Sequence, residues 1–352
     1  MIDKLLLPES TVIDAISAIE NSPQRMTIVI DHVGKLLGTI TDGDIRRHIL
    51  KGMSLNEPVV SFMNKNPITA GLGATKSSIN FLMLKNNVIG IPIIDTNRCY
   101  IETIHLTDVE DFGPKSISSK NIFSCAVIMA GGEGNRLRPI TEDIPKPMIK
   151  IGKMPLLEYQ IKSLAQLGIK RVYIAINYLG EFIENYFRDG TDFGIEIKYL
   201  REDLKLGTAG PLSLIPEIPE KPILVLNGDI YTTSNFQSMY TFHEDSGAII
   251  TVGAVDHKIE IPYGIVEVSG EEVQGIIEKP TQSYFCNAGI YVISPDVIKS
   301  VEKQTFTNMT DLVQSFISRG MKVKVFPIYE YWSDIGTPKD LENVRNKLLQ
   351  IE

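Results

Sequence analysis

The strongest constraint in this chain is a short apolar run that ends in glycines. Cys125-Ala-Val-Ile-Met has the composition of a buried strand and leads directly into Ala130-Gly-Gly-Glu-Gly-Asn-Arg-Leu-Arg-Pro-Ile-Thr-Glu-Asp-Ile-Pro-Lys-Pro-Met148. Glycines after a buried strand let the backbone come close to a ligand and turn its N–H groups on phosphate oxygens. The loop has neither the G-K-[ST] ending of a Walker A loop nor the G-x-G-x-x-G order of a dinucleotide fold. Arg136, Arg138, Lys146, Lys150 and Lys153 here outnumber Glu133, Glu142 and Asp143, although the whole chain has 43 acidic against 35 basic residues and a net charge of −8. A chain of that sign is unsuited to coat nucleic acid or acidic lipid. An anionic ligand must therefore be held by a local basic site, and this stretch supplies one.

The rest of residues 122–352 alternates apolar runs with amphipathic segments. Val172-Tyr-Ile-Ala-Ile and Ile223-Leu-Val-Leu read as buried strands. The segments around Leu157, Ile161 and Leu164 and around 182–187 read as helices, and strands at 247–255, 264–268, 289–293 and 321–326 extend or flank the sheet. Such β-α-β-α order predicts a mixed, mostly parallel, Rossmann-like α/β sheet covered on both faces. Thr337-Pro-Lys-Asp opens a last helix, with Thr as cap, Pro at the first helical position and a carboxylate at the third.

The first third is a repeat. Pro8-Glu-Ser-Thr leads into Val12, Ile13, Ile16 and Ile19 at helical spacing, then the strand-like Thr27-Ile-Val-Ile, then Leu37-Gly-Thr-Ile-Thr-Asp-Gly-Asp-Ile. A weaker copy runs through Pro67-Ile-Thr, the helical stretch from Ser77, Val88-Ile-Gly-Ile-Pro-Ile-Ile and Tyr100-Ile-Glu-Thr-Ile-His-Leu-Thr-Asp-Val, which places Asp108 on Asp44. The closing Gly38, Thr41 and Asp44 resemble the signature of a CBS domain. The organisation expected is a tandem CBS module at 1–115 (repeats 1–57 and 58–115), a Gly-, Pro- and Ser-rich linker ending at 116–121, and a second domain at 122–352. The resemblance implies that Thr41 and Asp44 receive the phosphate and ribose of a regulatory adenine nucleotide, and that the chain is a homo-oligomer, since CBS pairs associate face to face. A purely structural or dimerising module is the competing reading. In the second copy Glu102 replaces Gly38 and His105 replaces Thr41.

The glycine loop resembles the signature G-G-x-G-[ST]-R-L-x-P-x-T followed by P-K-P of the sugar-1-phosphate nucleotidyltransferases, with Asn135 in place of the small hydroxyl residue. Five further segments fall in that family's order: Leu206-Gly-Thr-Ala-Gly-Pro, Leu226-Asn-Gly-Asp-Ile, Ile276-Ile-Glu-Lys-Pro, Asn287-Ala-Gly-Ile-Tyr and Trp332-Ser-Asp-Ile-Gly-Thr. The resemblance implies that Ala130, Gly131, Gly132, Gly134, Asn135, Gly207, Thr208 and Ala209 bind the nucleotide. By the same resemblance Arg136, Lys146 and Lys279 are catalytic cations, Glu278, Lys279 and Asn287 hold the sugar phosphate, and Asp229 and Asp334 carry Mg²⁺. The substrates implied are a nucleoside triphosphate and a sugar 1-phosphate. Both are polyanions, which explains why cations are gathered, and the reaction needs no nucleophilic side chain.

Local alternatives exist for several of these residues. Asp229 can cap a turn after its strand, Ser-Asp-Ile-Gly can be a plain turn before a capped helix, and Glu278 with Lys279 can be a solvated strand end. The five histidines show no metal-ligand spacing, and Cys99, Cys125 and Cys286 form no C-x-x-C pair. No apolar run approaches the roughly 18 residues of a membrane helix, so the expectation is a cytoplasmic protein without membrane or nucleic-acid partners.

The stretch from Ala175 to Phe187 resembles mannose-1-phosphate guanylyltransferases rather than thymidylyltransferases, which implies GTP. A CBS pair ahead of such a domain resembles guanylyltransferases that supply bacterial cell-surface sugars, including the glucosamine-1-phosphate enzymes of legionaminic acid synthesis. Mannose or a heptose as the sugar, and CTP, UTP or dTTP as the nucleotide, stay open. From other classes, a glycosyltransferase and a non-catalytic nucleotide sensor also remain; the first usually carries D-x-D, whereas Asn227-Gly-Asp229 has one carboxylate.

Overall fold

The computed structural model describes residues 5–349 apart from 21, 23–24, 75–77, 80–81, 84–85, 87, 89 and 106–122. The chain divides into two compact units, Met1–Ser116 and Ile117–Glu352. Asp108 and the linker at 116–121 lie outside the described residues, as does much of the helical stretch from Ser77.

The first unit opens with α1 (Val12–Glu20), followed by the antiparallel pair β1 (Met26–Ile30) and β2 (Leu36–Thr41) and by α2 (Asp42–Leu50). A second sheet holds β3 (Ala70–Gly71), β4 (Gly90–Ile94) and β5 (Tyr100–His105), with β4 and β5 antiparallel. The two are tied by backbone bonds from Leu36 N–H to Arg98 O and from Tyr100 N–H to Gly34 O, each 2.9 Å. Thr41 caps α2. Its backbone N–H and its hydroxyl both donate to Asp44 Oδ2, at 2.9 and 2.7 Å, while Asp44 Oδ1 accepts from Arg47. Both oxygens of the expected ligand carboxylate are thus engaged within the helix itself.

In the second unit a seven-stranded sheet runs in the order β15-β11-β14-β9-β6-β7-β8. Its strands are β6 (Ala126–Met129), β7 (Arg171–Ile176), β8 (Glu196–Arg201), β9 (Ile223–Asn227), β11 (Ile250–Glu260), β14 (Thr281–Ile293) and β15 (Val323–Ile328). The pairs β6/β7, β6/β9, β7/β8 and β11/β15 are parallel, whereas β14 pairs antiparallel with both β9 and β11. Successive residues point to opposite faces and both faces are covered at the centre of the sheet, so β6, β7 and β9 are almost entirely apolar. Ile128, Ile174 and Leu226 face a core completed by α3 (Leu156–Gln166), α4 (Gly180–Phe187) and α5 (Phe236–Ser246). Val127, Tyr173 and Val225 face the other, completed by α6 (Pro295–Lys299) and α7 (Met309–Ser318).

Two features lie outside the main sheet. β10 (Ile230–Thr232) pairs antiparallel with β16 (Trp332–Asp334), which precedes α8 (Pro338–Leu349). The expected cap of that last helix forms, with Thr337 and Asp340 exchanging bonds. The hairpin β12 (Ile265–Ser269) and β13 (Glu272–Ile277) joins the outer halves of β11 and β14 in an arm whose side chains are mostly exposed. Among the described residues no helix is long and apolar enough to cross a membrane.

His243, on α5, is buried between Thr251 Oγ1 at 2.9 Å and Ser294 Oγ at 3.1 Å, and burial pushes its pKa down from 6.5 to about 4. The unfolded chain therefore binds a proton there that the folded chain resists. The stabilisation is full above pH 6.5 and is lost as the pH falls toward 4, on the order of 3 kcal/mol in total. Denaturant titrations of wild type and His243→Gln between pH 7 and 4 should show this slope in wild type and a flatter profile in the variant.

Candidate active site

The site forms where the strand order reverses. From β6 the chain moves outward through β7 and β8, then returns to the opposite side of β6 with β9, so the carboxyl ends of β6 and β9 flank the crevice that open α/β sheets use for ligands. The glycine loop leaves β6 there and Asn227-Gly-Asp229 leaves β9 there, joined by a bond from Gly228 N–H to Met129 O at 2.9 Å. Gly134 has φ +64°, and a Cβ on it would lie 2.9 Å from the methyl of Thr141. The Thr141 hydroxyl, in a fully buried residue, donates to Gly134 O at 2.9 Å. The glycine is therefore required by both conformation and space.

At the head of the loop Lys146 Nζ donates to Asp229 Oδ2 at 2.5 Å and stands 3.5 Å from Asp334 Oδ1. Register brings the two carboxylates together. Ile230 lies opposite Asp334 in the β10/β16 ladder, and Ile335 N–H donates to Asp229 O at 2.9 Å. Gln160, on α3, braces the turn from behind by donating to Asn227 O and Ile230 O at 2.9 and 2.8 Å. Burial and the charge of Asp229 push the Asp334 carboxyl up, against the opposing pull of Lys146 and Arg136. Asp334 Oδ1 is buried without a hydrogen-bond partner. Two facing carboxylates, one with an oxygen left unsatisfied, suit a hard divalent ion that keeps waters and takes its other ligands from phosphate, so these residues fit Mg²⁺. Among the described residues no group of three or more His, Cys, Asp or Glu has metal-binding geometry.

Beside this cluster lies a cavity of about 390 Å³. Of the residues expected to bind nucleotide, Ala130, Gly131, Gly132, Gly134, Asn135, Gly207 and Thr208 line it, together with Lys146 and Asp229. Ala209 is buried behind it and donates its N–H to Thr307 O at 2.9 Å. Arg136 and Asp334 stand beside the cavity rather than in its wall, with the Arg136 guanidinium against Gly336. Asn135 donates to Glu133 Oε2 at 3.0 Å, and Glu133, paired with Lys205, is held below the usual carboxylate range first by its bond to Lys205.

The sugar-side residues are placed elsewhere. Glu278 and Lys279 are exposed where the arm turns from β13 into β14, with Lys279 at φ +42°, and neither lines the cavity. Asn287 donates from Nδ2 to the Tyr291 hydroxyl at 2.6 Å and accepts the Gly289 N–H on Oδ1, which occupies its side chain.

Sequence reasoning passed over Asn177, Glu202, Lys205, Phe306 and Asn308, all in the cavity wall. Asn177 follows β7 at the same sheet edge as the glycine loop, so the edge rule would have found it. Glu202 and Lys205 immediately precede Leu206-Gly-Thr. Burial pushes the Glu202 carboxyl up, and its Oε2 accepts the Leu206 N–H at 2.9 Å. Phe306 and Asn308 carry no local signal and arrive only through pairing of Thr307 with the 206–210 loop.

A family model for nucleotidyl transferases matches residues 125–351. The chain belongs to that family. A CBS-domain model matches residues 5–51, the first of the two repeats. Similar proteins include a mannose-1-phosphate guanyltransferase of Yarrowia lipolytica, 35% identical over 231 residues that make up 61% of each chain. The mannose-1-phosphate guanylyltransferase catalytic subunit beta of Danio rerio is 34% identical over 232 residues, 61% of this chain and 62% of its own. The chain thus spans about three fifths of the length of these relatives. Among solved structures, HddC from Yersinia pseudotuberculosis superposes with a TM-score of 0.51 at 25% identity, covering 63% of this chain and 98% of that one. A Bacillus anthracis structure does so with a TM-score of 0.53 at 22% identity, 65% and 96% covered, and shows the shared fold.

Asp229→Asn removes a charge that Lys146 and a metal ion would share. It should lower metal-dependent nucleotidyl transfer by about 10²-fold or more while leaving the circular dichroism spectrum unchanged. A variant with wild-type turnover excludes Asp229 as a metal ligand.

Proposed function

We propose that this nucleotidyl transferase condenses GTP with a sugar 1-phosphate to give a GDP-sugar and pyrophosphate, and that the sugar is a hexosamine or hexose, with glucosamine 1-phosphate the first candidate. The observation that carries the reading is the Lys146 bridge between Asp229 and Asp334 at the end of a glycine-lined cavity. Two phosphate charges about 4 Å apart repel by about 4 kcal/mol at an effective dielectric of about 20. A lysine already poised between two carboxylates can transfer its charge to entering phosphate oxygens. Bound Mg²⁺ would supply further charge neutralisation at the triphosphate. Arg136, whose guanidinium suits bidentate phosphate contact, stands beside the same cluster.

The chemistry assigned to the site is an in-line displacement. An oxygen of the sugar phosphate attacks the α-phosphorus, a new P–O bond forms, the bond to the β-phosphate oxygen breaks and pyrophosphate leaves. The chain's part is to align the two anions and stabilise the charge. Glu278 and Lys279 are assigned to the sugar phosphate within this reading, reaching it from the exposed arm, with Asn287 at the base of that arm.

Preference for GTP is supported by Glu202. A carboxylate in the cavity wall can accept from both the ring N–H and the exocyclic amine of guanine, here through Oε1 and the lone pair of Oε2 that the Leu206 N–H leaves open, whereas the amide of a Gln would offer one acceptor and one donor. The names of the similar yeast and fish proteins point the same way.

The decisive experiment is pyrophosphate release with Mg²⁺, pairing GTP, CTP, UTP, dTTP and ATP with mannose, glucose, glucosamine and N-acetylglucosamine 1-phosphates. Release is expected to need both substrates and to be fastest with GTP and glucosamine 1-phosphate; Glu202→Gln should erode the preference for GTP over ATP. Fastest release with another pair replaces the substrates named, and none with any pair rejects them.

For the first unit, the match to the CBS model supports an adenine nucleotide effector at Thr41 and Asp44. AMP or ATP should then raise the Tm or change the rate of wild type and not of Asp44→Ala. A flat wild-type titration leaves Thr41 and Asp44 as helix-capping residues alone.

A further inference from the structure

The wall of the cavity beside Lys146 is chemically mixed. The glycine loop, Lys146 and Asp229 suit phosphate, and Glu202 and Lys205 stand against that loop, with Lys205 paired to Glu133 and a Cβ on Gly131 falling 2.8 Å from Glu202 Oε1. Phe306 is a large aromatic side chain in the same wall, and it is 61% exposed. Exposure of an aromatic ring on a loose loop would mean little, but the backbone is fastened at the residue that follows Phe306.

Thr307 N–H donates to Leu206 O at 2.8 Å, and Thr307 O accepts from Ala209 and Gly210 N–H at 2.9 and 3.1 Å. Met309 N–H donates to the Thr208 hydroxyl at 2.8 Å. Gly207 has φ +79°, and a Cβ on it would lie 2.6 Å from Thr307 O, so the two segments are in close backbone contact. The ring is therefore presented by two mutually hydrogen-bonded segments of chain, and it borders the same space as the Glu202 carboxylate. A flat ligand entering the cavity would cover the apolar area that Phe306 leaves in water.

We propose that Phe306 is the stacking platform for the nucleobase, holding the ring of the bound nucleotide by one face while Glu202 reads its edge. The assignment rests on the nucleotide-binding reading given above and adds to it the residue that supplies base-independent affinity. Stacking uses the π-face that every base has, so Phe306 strengthens binding of all nucleotides alike, whereas Glu202 discriminates between them. The phosphates would then lie toward Lys146 and Asp229.

The test is calorimetric titration, with Mg²⁺, of the full chain with a GTP analogue whose α–β bridge is a methylene group, and with the matching ATP analogue. Phe306→Ala should weaken both by a similar factor, roughly 5- to 150-fold. Phe306→Tyr, which keeps the ring, should bind as wild type. In steady-state assays Phe306→Ala should raise the KM for nucleotide with kcat little changed, the pattern of lost uniform binding. Trp332 is the chain's single tryptophan, so Phe306→Trp adds a second emitter. Its fluorescence should be quenched by either analogue beyond the change seen in wild type.

Wild-type affinity in Phe306→Ala overturns the proposal, and so does an unquenched Phe306→Trp that still binds the analogue. A loss confined to the GTP analogue also overturns it, because that is edge reading rather than stacking. If wild type itself binds neither analogue, the nucleotide reading of the cavity fails first and the Phe306 assignment falls with it. Wild-type binding is therefore the control that separates the two failures.

Discussion

The nucleotidyl transferase unit of this protein depends on one charge arrangement: a lysine held between two carboxylates that lie far apart in the chain, Asp229 near the middle of the unit and Asp334 near its end. Asp229 and Asp334 lie on β10 and β16 or immediately beside them, and the register of that three-residue ladder sets them side by side. Lys146 offsets one of their two negative charges. Two acids so close would otherwise resist sharing negative charge, and the upward push on the Asp334 carboxyl is the trace of that repulsion, added to the cost of burial. On the proposed reading the trio would receive polyanions, with the lysine exchanging carboxylate partners for phosphate oxygens.

Everything around the trio serves to hold its geometry. The topological switch at β6 and β9 puts the glycine loop and the Asn227-Gly-Asp229 turn on neighbouring strand ends, and Gln160 clamps the second turn from the core side. Family membership follows from the match across residues 125–351, and the cavity geometry gives that match its physical content. The segment that carries Glu278 and Lys279 is placed differently. Its hairpin arm has most of its side chains in solvent, and Glu278 and Lys279 sit on it away from the cavity wall.

The first unit shows how one local pattern can serve two ends. Thr41 and Asp44 make a helix capping box, and the same exchange of bonds links Thr11 with Asp14 and Thr337 with Asp340. Thr-x-x-Asp is thus a general helix start in this chain. At Thr41 it coincides with a CBS signature, so spacing alone could not separate a cap from a ligand site there.

The sequence alone determined the alternation of strands and helices and pointed to a phosphate-binding character for the glycine loop, and its resemblance to a family singled out the acids at 229 and 334. The first two follow from local rules: apolar periodicity, backbone freedom at glycine, and charge. The tertiary structure alone decided which residues share a cavity. Glu202 and Asn177 join it by lying at the ends of parallel strands, and Phe306 joins it because Thr307 pairs with a loop about a hundred residues earlier. It also decided that Asn287 spends its side chain on Tyr291 and Gly289. Such outcomes depend on register and on long-range hydrogen bonds, which bring together groups whose separation along the chain carries no record of their separation in space.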